Sequence, residues 1–147
     1  MKDYVRDSLE RFESGHNCAQ AVVAVFSDEL GLRSETALKV AKAFGGGMAG
    51  YGKTCGALTG AMMVIGLRWG SASASDGEAN DRVEKKTHQL VEEFEKKYGT
   101  SNCNELLGLE AGNLSGTDVL LRGSRICQSC HGFIETVVAF LEEEIES

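Results

Sequence analysis

The sequence contains no proline in 147 residues, and no segment alternates apolar and polar residues as an exposed β-strand does. Proline is the residue that most strongly interrupts a helix, so its absence leaves helical segments unbroken. Apolar residues instead recur every three or four positions along most of the chain, as in Val83, Leu90, Val91 and Phe94. These absences and this spacing predict an all-α protein.

Positive charge and long apolar runs are also scarce. Fifteen Lys and Arg stand against twenty-two Asp and Glu, which gives a net charge of −7 and argues against nucleic-acid binding. No apolar run reaches the ~18 residues of a membrane span, so no membrane insertion is expected. The first residues, MKDYVRDSLERF, are charged and lack the apolar core of a signal peptide. We therefore expect a cytoplasmic protein.

One segment, CGALTGAMMVIGLRWG, is apolar on almost all sides and predicts a buried central helix at about residues 55–69. Its Gly56 and Gly60 remove side-chain bulk and would let a neighbouring helix approach closely. The predicted architecture is an irregular, single-domain helical bundle over residues 1–147, arranged around this helix. The last helix is predicted to run from near Cys130 to Ile145.

GMAGYGKT, residues 47–54, matches the phosphate-binding P-loop template. A P-loop joins a buried strand to a helix, whereas the residues before this loop have a helical pattern, so a nucleotide site is not expected. The loop still leads into a helix N-terminus, where backbone amides favour a negatively charged group. We therefore predict a ligand-cradling loop, with these candidate cofactor-binding residues: Gly52, Lys53, Thr54, Gly56 and Gly60.

Five cysteines in a reducing compartment indicate metal binding or redox chemistry rather than structural disulfides. Four of them directly follow a residue that favours the helix N-cap: Cys18, Cys55, Cys103 and Cys130. Gln20 and Glu105 stand at the positions that would complete capping boxes. This pattern predicts four redox thiols in the first turns of four helices, shifted toward thiolate and converging on one metal site. His16, two residues before Cys18, is a further candidate ligand.

These residues also carry a family resemblance. The segments NCAQAVVAVFSDELGL, FGGGMAGYGKTCGALTGAMMVIGL and NCNELLG, with a late cysteine, resemble the redox-active proteins named for a C_GCAxxG_C_C pattern. The central motif here is Cys-Gly-Ala-x-x-Gly, from Cys55 to Gly60. The resemblance implies that the family's four cysteines are Cys18, Cys55, Cys103 and Cys130. It also implies kinship with the non-haem part of split-Soret cytochromes, and hence redox work near an iron centre.

Cys127 is an addition to this pattern and creates CQSCH, residues 127–131. That pentapeptide is the attachment signature of c-type haem, with His131 as the axial ligand. The same residues read as a CxxC dithiol, although no thioredoxin-like βαβ pattern surrounds them. Cys127 and His131 are therefore additional candidate ligands.

The leading functional expectation is an iron–sulfur cluster held by the four cysteines, for electron transfer or redox sensing. The first alternative is a thiol–disulfide oxidoreductase that uses the same cysteines without a cofactor. Others are a zinc-stabilised interaction module and a haem c protein. A redox partner protein is expected. The oligomeric state is open, with a homodimer as one alternative.

Overall fold

The computed structural model describes residues 2–108 and 116–147, and the side chains of residues 116–128 fall outside that description. Two 3-10 turns, Asp28–Leu30 and Lys42–Phe44, connect helices in the first half of the chain. The described residues form seven α-helices: α1 (Tyr4–Glu13), α2 (Cys18–Ser27), α3 (Ser34–Val40), α4 (Gly56–Trp69), α5 (Gly77–Tyr98), α6 (Cys103–Leu106) and α7 (Gly116–Glu146). Within them, the extended backbone makes one isolated bridge, between Thr54 and Asn102, and no sheet. The predicted all-α class is confirmed.

The centre of the fold is the packing of α2 against α4. Every residue of α2 is buried, and most of the first ten residues of α4 are buried as well. A Cβ atom added at Gly60 would lie 2.7 Å from the carbonyl oxygen of Ala19, so the two helices touch through their backbones. The predicted buried helix is therefore confirmed, and its glycines allow the close approach that their sequence indicated.

Helix α7 closes the bundle by packing against α1 and α4. Phe133, Ile134, Val137 and Leu141 supply its buried face. The hydroxyl group of Tyr98, the last residue of α5, donates to the carbonyl oxygen of Gly132 at 3.0 Å. This part of α7 is thus held by the core on one side and by the end of α5 on another. No helix in the described part of the chain is long and apolar enough to cross a membrane.

The predicted start of the last helix is wrong. The helix begins at Gly116 and runs without interruption to Glu146, so Cys130 lies in its interior. Ser129, which precedes Cys130, has a side chain that favours the N-cap, but a serine caps a helix only where the backbone before it leaves helical geometry. No proline stands between Gly116 and Ser129 to force such a break. The helix therefore continues through both Gly123 and Ser129.

Helix α1 is attached to the bundle by Tyr4. Its ring stacks on Phe26 with centroids 4.7 Å apart, and its hydroxyl donates to a carboxylate oxygen of Glu29 at 2.5 Å. This hydrogen bond, with some burial and the charge of Glu29, raises the pKa of Tyr4 from 10.0 to about 12. Neutral Tyr4 is therefore the form that the folded state favours.

We expect this contact to be lost at high pH. Because the folded pKa of Tyr4 lies above the unfolded value, its contribution to stability is complete below pH 10 and disappears as the pH rises toward 12. A titration followed by tyrosinate absorbance should contain a component with a pKa of about 12 that Tyr4→Phe removes. Tyr51→Phe is the control and should leave that component in place. A titration that Tyr4→Phe does not change would contradict the assignment.

Candidate functional site

Cys18 is the first residue of α2, as the sequence predicted. The side chain of Asn17 accepts from the backbone N–H of Gln20 at 2.9 Å, and the side chain of Gln20 accepts from the N–H of Asn17 at 3.0 Å. The predicted capping box is therefore confirmed. The amide nitrogen of Asn17 also donates to the carbonyl oxygen of Lys42 at 2.9 Å, which ties the start of α2 to the turn after α3.

Cys55 and Cys103 are held side by side by backbone hydrogen bonds. The N–H of Cys55 donates to the carbonyl oxygen of Ser101 at 2.9 Å, and the N–H of Cys103 donates to that of Lys53 at 2.5 Å. These bonds flank the Thr54–Asn102 bridge. Two cysteines that are far apart in sequence are thus positioned by main-chain contacts that do not depend on any metal.

The capping pattern that suggested this site is only partly correct. Cys55 itself occupies the N-cap of α4, one position earlier than predicted, and Thr54 belongs to the bridge. Asn102 does cap α6, since its side chain accepts from the N–H of Glu105 at 3.0 Å.

The second predicted capping box is wrong. The carboxylate of Glu105 accepts from the hydroxyl of Thr100 at 2.5 Å, and that same hydroxyl oxygen accepts from the N–H of Asn102 at 3.1 Å. The N–H of Asn102 therefore donates to the hydroxyl of Thr100 instead of to the carboxylate of Glu105.

Cys130 reaches the other cysteines from the interior of α7 rather than from a helix N-terminus. Its thiol is hydrogen-bonded to that of Cys18, and Cys18 also interacts electrostatically with Cys55 and Cys103. Cys55 in turn interacts with Cys103 and Cys130. The structure therefore brings together the four cysteines singled out in the sequence, and all four are present as thiols.

The predicted shift toward thiolate is wrong for Cys18 and Cys55, the two thiols whose pKa shifts are resolved. The hydrogen bond to Cys130 and burial raise the pKa of Cys18 well above its ordinary value. Burial raises the pKa of Cys55 to about 12, although the amides of Ala57 and Leu58 act in the opposite direction. Loss of solvation and the neighbouring sulfurs raise the pKa of these thiols by more than the helix amides lower it. In this state Cys18 and Cys55 are neutral thiols.

The glycine-rich loop covers Cys103. Six of its residues have positive φ: Gly46, Gly47, Met48, Ala49, Gly50 and Gly52. A Cβ atom at Gly47 would lie 2.7 Å from the Cβ of Cys103 and 2.5 Å from the nitrogen of Lys53. Only glycine fits at this position, because the loop backbone lies directly against the cysteine. The loop follows a helix and a 3-10 turn, so the P-loop context is absent here.

Gly47→Ala should therefore displace the loop from Cys103. Both Gly47 and Gly31 have positive φ, but no atom lies within 4 Å of a Cβ at Gly31. Each substitution costs about 1–2 kcal/mol of backbone strain, and only Gly47→Ala adds a clash. Alkylation by iodoacetamide in the presence of a chelator, mapped by mass spectrometry, should label Cys103 faster in Gly47→Ala than in Gly31→Ala. Equal rates would show that the loop does not protect this thiol.

The other predicted cofactor-binding residues have mainly structural positions. A Cβ at Gly52 would collide with the side chain of Asn104, and one at Gly56 would lie 3.2 Å from the Cβ of Cys18. Gly60 contacts α2 instead of the cysteines. The side chain of Lys53 is exposed to solvent, and only its carbonyl group meets the site, through Cys103. A cofactor-binding role for these residues stays a prediction.

Two histidines were additional candidates. Nε2 of His131 lies 3.5 Å from a carboxylate oxygen of Glu13, and its ring meets Phe12 edge-on at 5.5 Å, so it contacts α1. His16 lies in the turn before α2 and is partly exposed. The side chain of Cys127 lies outside the described residues. Haem attachment at CQSCH therefore stays a prediction.

The sequence analysis missed Asn104. This residue is buried, follows Cys103 directly and fills the space above Gly52, while its N–H donates to the carbonyl oxygen of Gly52 at 3.3 Å. The signal in the sequence was an asparagine inside the short NCNELLG helix. If such a side chain is buried, its amide needs hydrogen-bonding partners in the surrounding structure. Asn104 fixes the loop that covers the site.

The described part of the chain contains no group of three or more His, Cys, Asp or Glu side chains already arranged to hold a metal ion. The four thiols are neighbours without forming a coordination sphere. Ligation would require the ligating thiols to lose their protons. A zinc site and an iron–sulfur site both stay predictions.

The comparison with known proteins agrees with the cysteine arrangement. A family model described as "Putative redox-active protein (C_GCAxxG_C_C)" matches residues 16–144, a range that includes all four cysteines. Neither the curated proteins nor the solved structures give a significant match. Because the match covers nearly the whole chain after α1, the protein belongs to the C_GCAxxG_C_C family of redox-active proteins.

Proposed function

We propose that this protein binds an iron–sulfur cluster through Cys18, Cys55, Cys103 and Cys130 and serves in electron transfer or redox sensing. The observation that carries the proposal is the meeting of four cysteines from four separate segments at one largely buried place. Four cysteine thiolates are the usual ligand set of such clusters. When bound, the cluster would accept and release single electrons.

The chemistry of the donor set supports this assignment. The site presents sulfur ligands, which favour iron–sulfur clusters, zinc or Cu(I) over hard cations such as Mg²⁺. Cys55 is 3% exposed and Cys103 is 7% exposed, so the ligands would be shielded from solvent. The backbone amides near Cys55 would donate to its sulfur and tune the potential.

A thiol–disulfide oxidoreductase is the second candidate, favoured by the hydrogen bond between Cys18 and Cys130. In that reaction an incoming disulfide would be reduced to two thiols. The pair would lose two electrons and two protons and form a disulfide. Such exchange needs an accessible thiolate. The burial of Cys18 opposes it, and the cluster is therefore the preferred proposal.

The test is metal and sulfide analysis of protein purified without oxygen. We expect a brown protein with iron and acid-labile sulfide in comparable amounts and an absorbance that bleaches on reduction. Zinc without sulfide would support a structural metal site, and a sharp haem band would support CQSCH. A colourless, metal-free protein with a reversible Cys18–Cys130 disulfide would overturn the cluster in favour of the oxidoreductase.

A further inference from the structure

The charges of this acidic protein are unevenly distributed along the chain. Residues 36–75 contain no Asp or Glu, although the whole chain has twenty-two of them. The basic residues of that stretch are Lys39, Lys42, Lys53 and Arg68. The excess negative charge therefore lies entirely outside a continuous stretch that includes the glycine-rich loop and Cys55.

The first part of this stretch, segment 39–53, exposes its cations together with apolar side chains. Lys39, Lys42 and Lys53 are all exposed. Val40 is 56% exposed and Tyr51 is 73% exposed, and these are the exposed large hydrophobic residues of the described chain. Isolated exposed apolar residues are ordinary, but aromatic residues such as tyrosine are enriched at protein interfaces.

Backbone hydrogen bonds fold segment 39–53 back on itself. The N–H of Ala49 donates to the carbonyl oxygen of Ala43 at 2.6 Å, and the N–H of Gly52 donates to that of Gly46 at 3.1 Å. The chain therefore returns toward the turn that carries Lys42 before it reaches Lys53. One compact surface element presents the charges and the tyrosine.

The backbone of the same segment contacts two of the cysteine-bearing elements. The carbonyl group of Lys42 accepts from Asn17, next to Cys18, and the carbonyl group of Lys53 accepts from the N–H of Cys103. Gly47 lies against the side chain of Cys103. Segment 39–53 thus lies directly against Cys103 and beside the start of α2, which carries Cys18.

We propose that segment 39–53 is the docking surface for an acidic redox protein. The proposal rests on the iron–sulfur function, because it places the partner over the cysteine site. Charge complementarity selects the partner: three exposed lysines in a stretch, residues 36–75, that contains no Asp or Glu suit a carboxylate-rich surface. Tyr51 supplies the apolar contact at the centre of such an interface.

A second basic region of the protein lacks these features. Arg82 and Lys85 line an open groove on α5 together with Asp81 and Glu144. Opposite charges alternate along that helix, so the region has no surface of one sign. It offers a matched control, because two of its cations can be neutralised with the same change in net charge.

The experiment is a binding titration with a purified acidic ferredoxin of the plant type, and with a basic c-type cytochrome as the control probe. Wild-type protein should bind the ferredoxin with an affinity that falls as salt rises. Lys42→Gln/Lys53→Gln should weaken binding by about fivefold to tenfold, and Tyr51→Ser should weaken it as well. Arg82→Gln/Lys85→Gln should stay within about twofold of wild type. Circular dichroism checks that each variant is folded.

Several results would overturn the docking surface: absent ferredoxin binding, tighter binding of the cytochrome, or equal effects of the two double variants. Self-association that Lys42→Gln/Lys53→Gln abolishes would assign the surface to a second copy of this chain and likewise overturn it. Iron and sulfide are measured on the same samples. The expected binding pattern in protein without a cluster would keep the docking surface and remove the iron–sulfur proposal. Protein that contains the cluster but does not bind the ferredoxin would keep the iron–sulfur proposal and remove the docking surface.

Discussion

Replacing Cys18, Cys55, Cys103 or Cys130 by serine is expected to remove the proposed iron–sulfur cluster almost completely. Each variant takes one sulfur from a set of four neighbouring thiols, and a serine hydroxyl does not replace a thiolate as a ligand of iron. Loss of a residue that only orients a ligand already costs about 10–100-fold in metal affinity, so loss of a ligand should cost at least that much. Iron, sulfide and visible absorbance after anaerobic reconstitution measure the effect.

Cys127→Ser is the matched control, because it removes a sulfur three residues before Cys130 in the same helix. We expect this variant to keep wild-type iron and sulfide, since the contact with Cys18 is made by Cys130. The opposite result, in which Cys127→Ser loses the cluster and Cys130→Ser keeps it, would assign the fourth ligand to Cys127. Retention of the cluster in all five variants would reject cysteine ligation.

The second large effect is expected at Gly60. A Cβ atom at this position would lie 2.7 Å from the carbonyl oxygen and 3.0 Å from the Cα of Ala19, both of which are backbone atoms of α2. Gly60→Ala therefore forces the two central helices apart. Overpacking of this kind costs about 1–3 kcal/mol or more, and the gain in helix propensity recovers about 1 kcal/mol. Because both clashing atoms belong to the backbone, we take the upper end of about 3 kcal/mol for overpacking, so the free energy of unfolding in urea should fall by about 2 kcal/mol.

Gly66, in the same helix, provides the control, for which the expected change in the free energy of unfolding has the opposite sign. No atom lies within 4 Å of a Cβ at Gly66, and the residue is exposed. Gly66→Ala should therefore raise the free energy of unfolding by about 0.5–1 kcal/mol through helix propensity alone. Effects of the same sign at the two positions would show that contact with Ala19 does not determine the cost.

Features that depend on local sequence were predicted well. The buried helix α4 follows from an apolar run of sufficient length, and α5 follows from regular spacing that ends at Gly99 in the left-handed conformation. Gly31 ends the turn after α2 in the same way, with a φ of +86°. The capping box at Asn17 requires only residues within one helical turn. In each case the determining contacts lie a few positions apart.

Features that depend on competition between contacts were not predicted. The box expected at Glu105 fails because the hydroxyl of Thr100 lies between the two groups that the box would join. The thiol of Cys55 stays protonated because burial raises its pKa by more than the backbone amides lower it. A capping pattern in the sequence indicates the amides but not the burial. Cys130 joins the site through the side of a long helix, a position that no cap residue marks. Such outcomes depend on tertiary packing.

The Thr54–Asn102 bridge has a consequence for how the cysteine site is assembled. Its hydrogen bonds hold together the ends of the long loop between Cys55 and Cys103 without the help of a metal, so the entropy cost of closing that loop belongs to folding. Two of the four proposed sulfur ligands are thereby preorganised by the backbone, whereas Cys18 and Cys130 are carried by α2 and α7. Preorganisation of this kind strengthens binding without adding a contact.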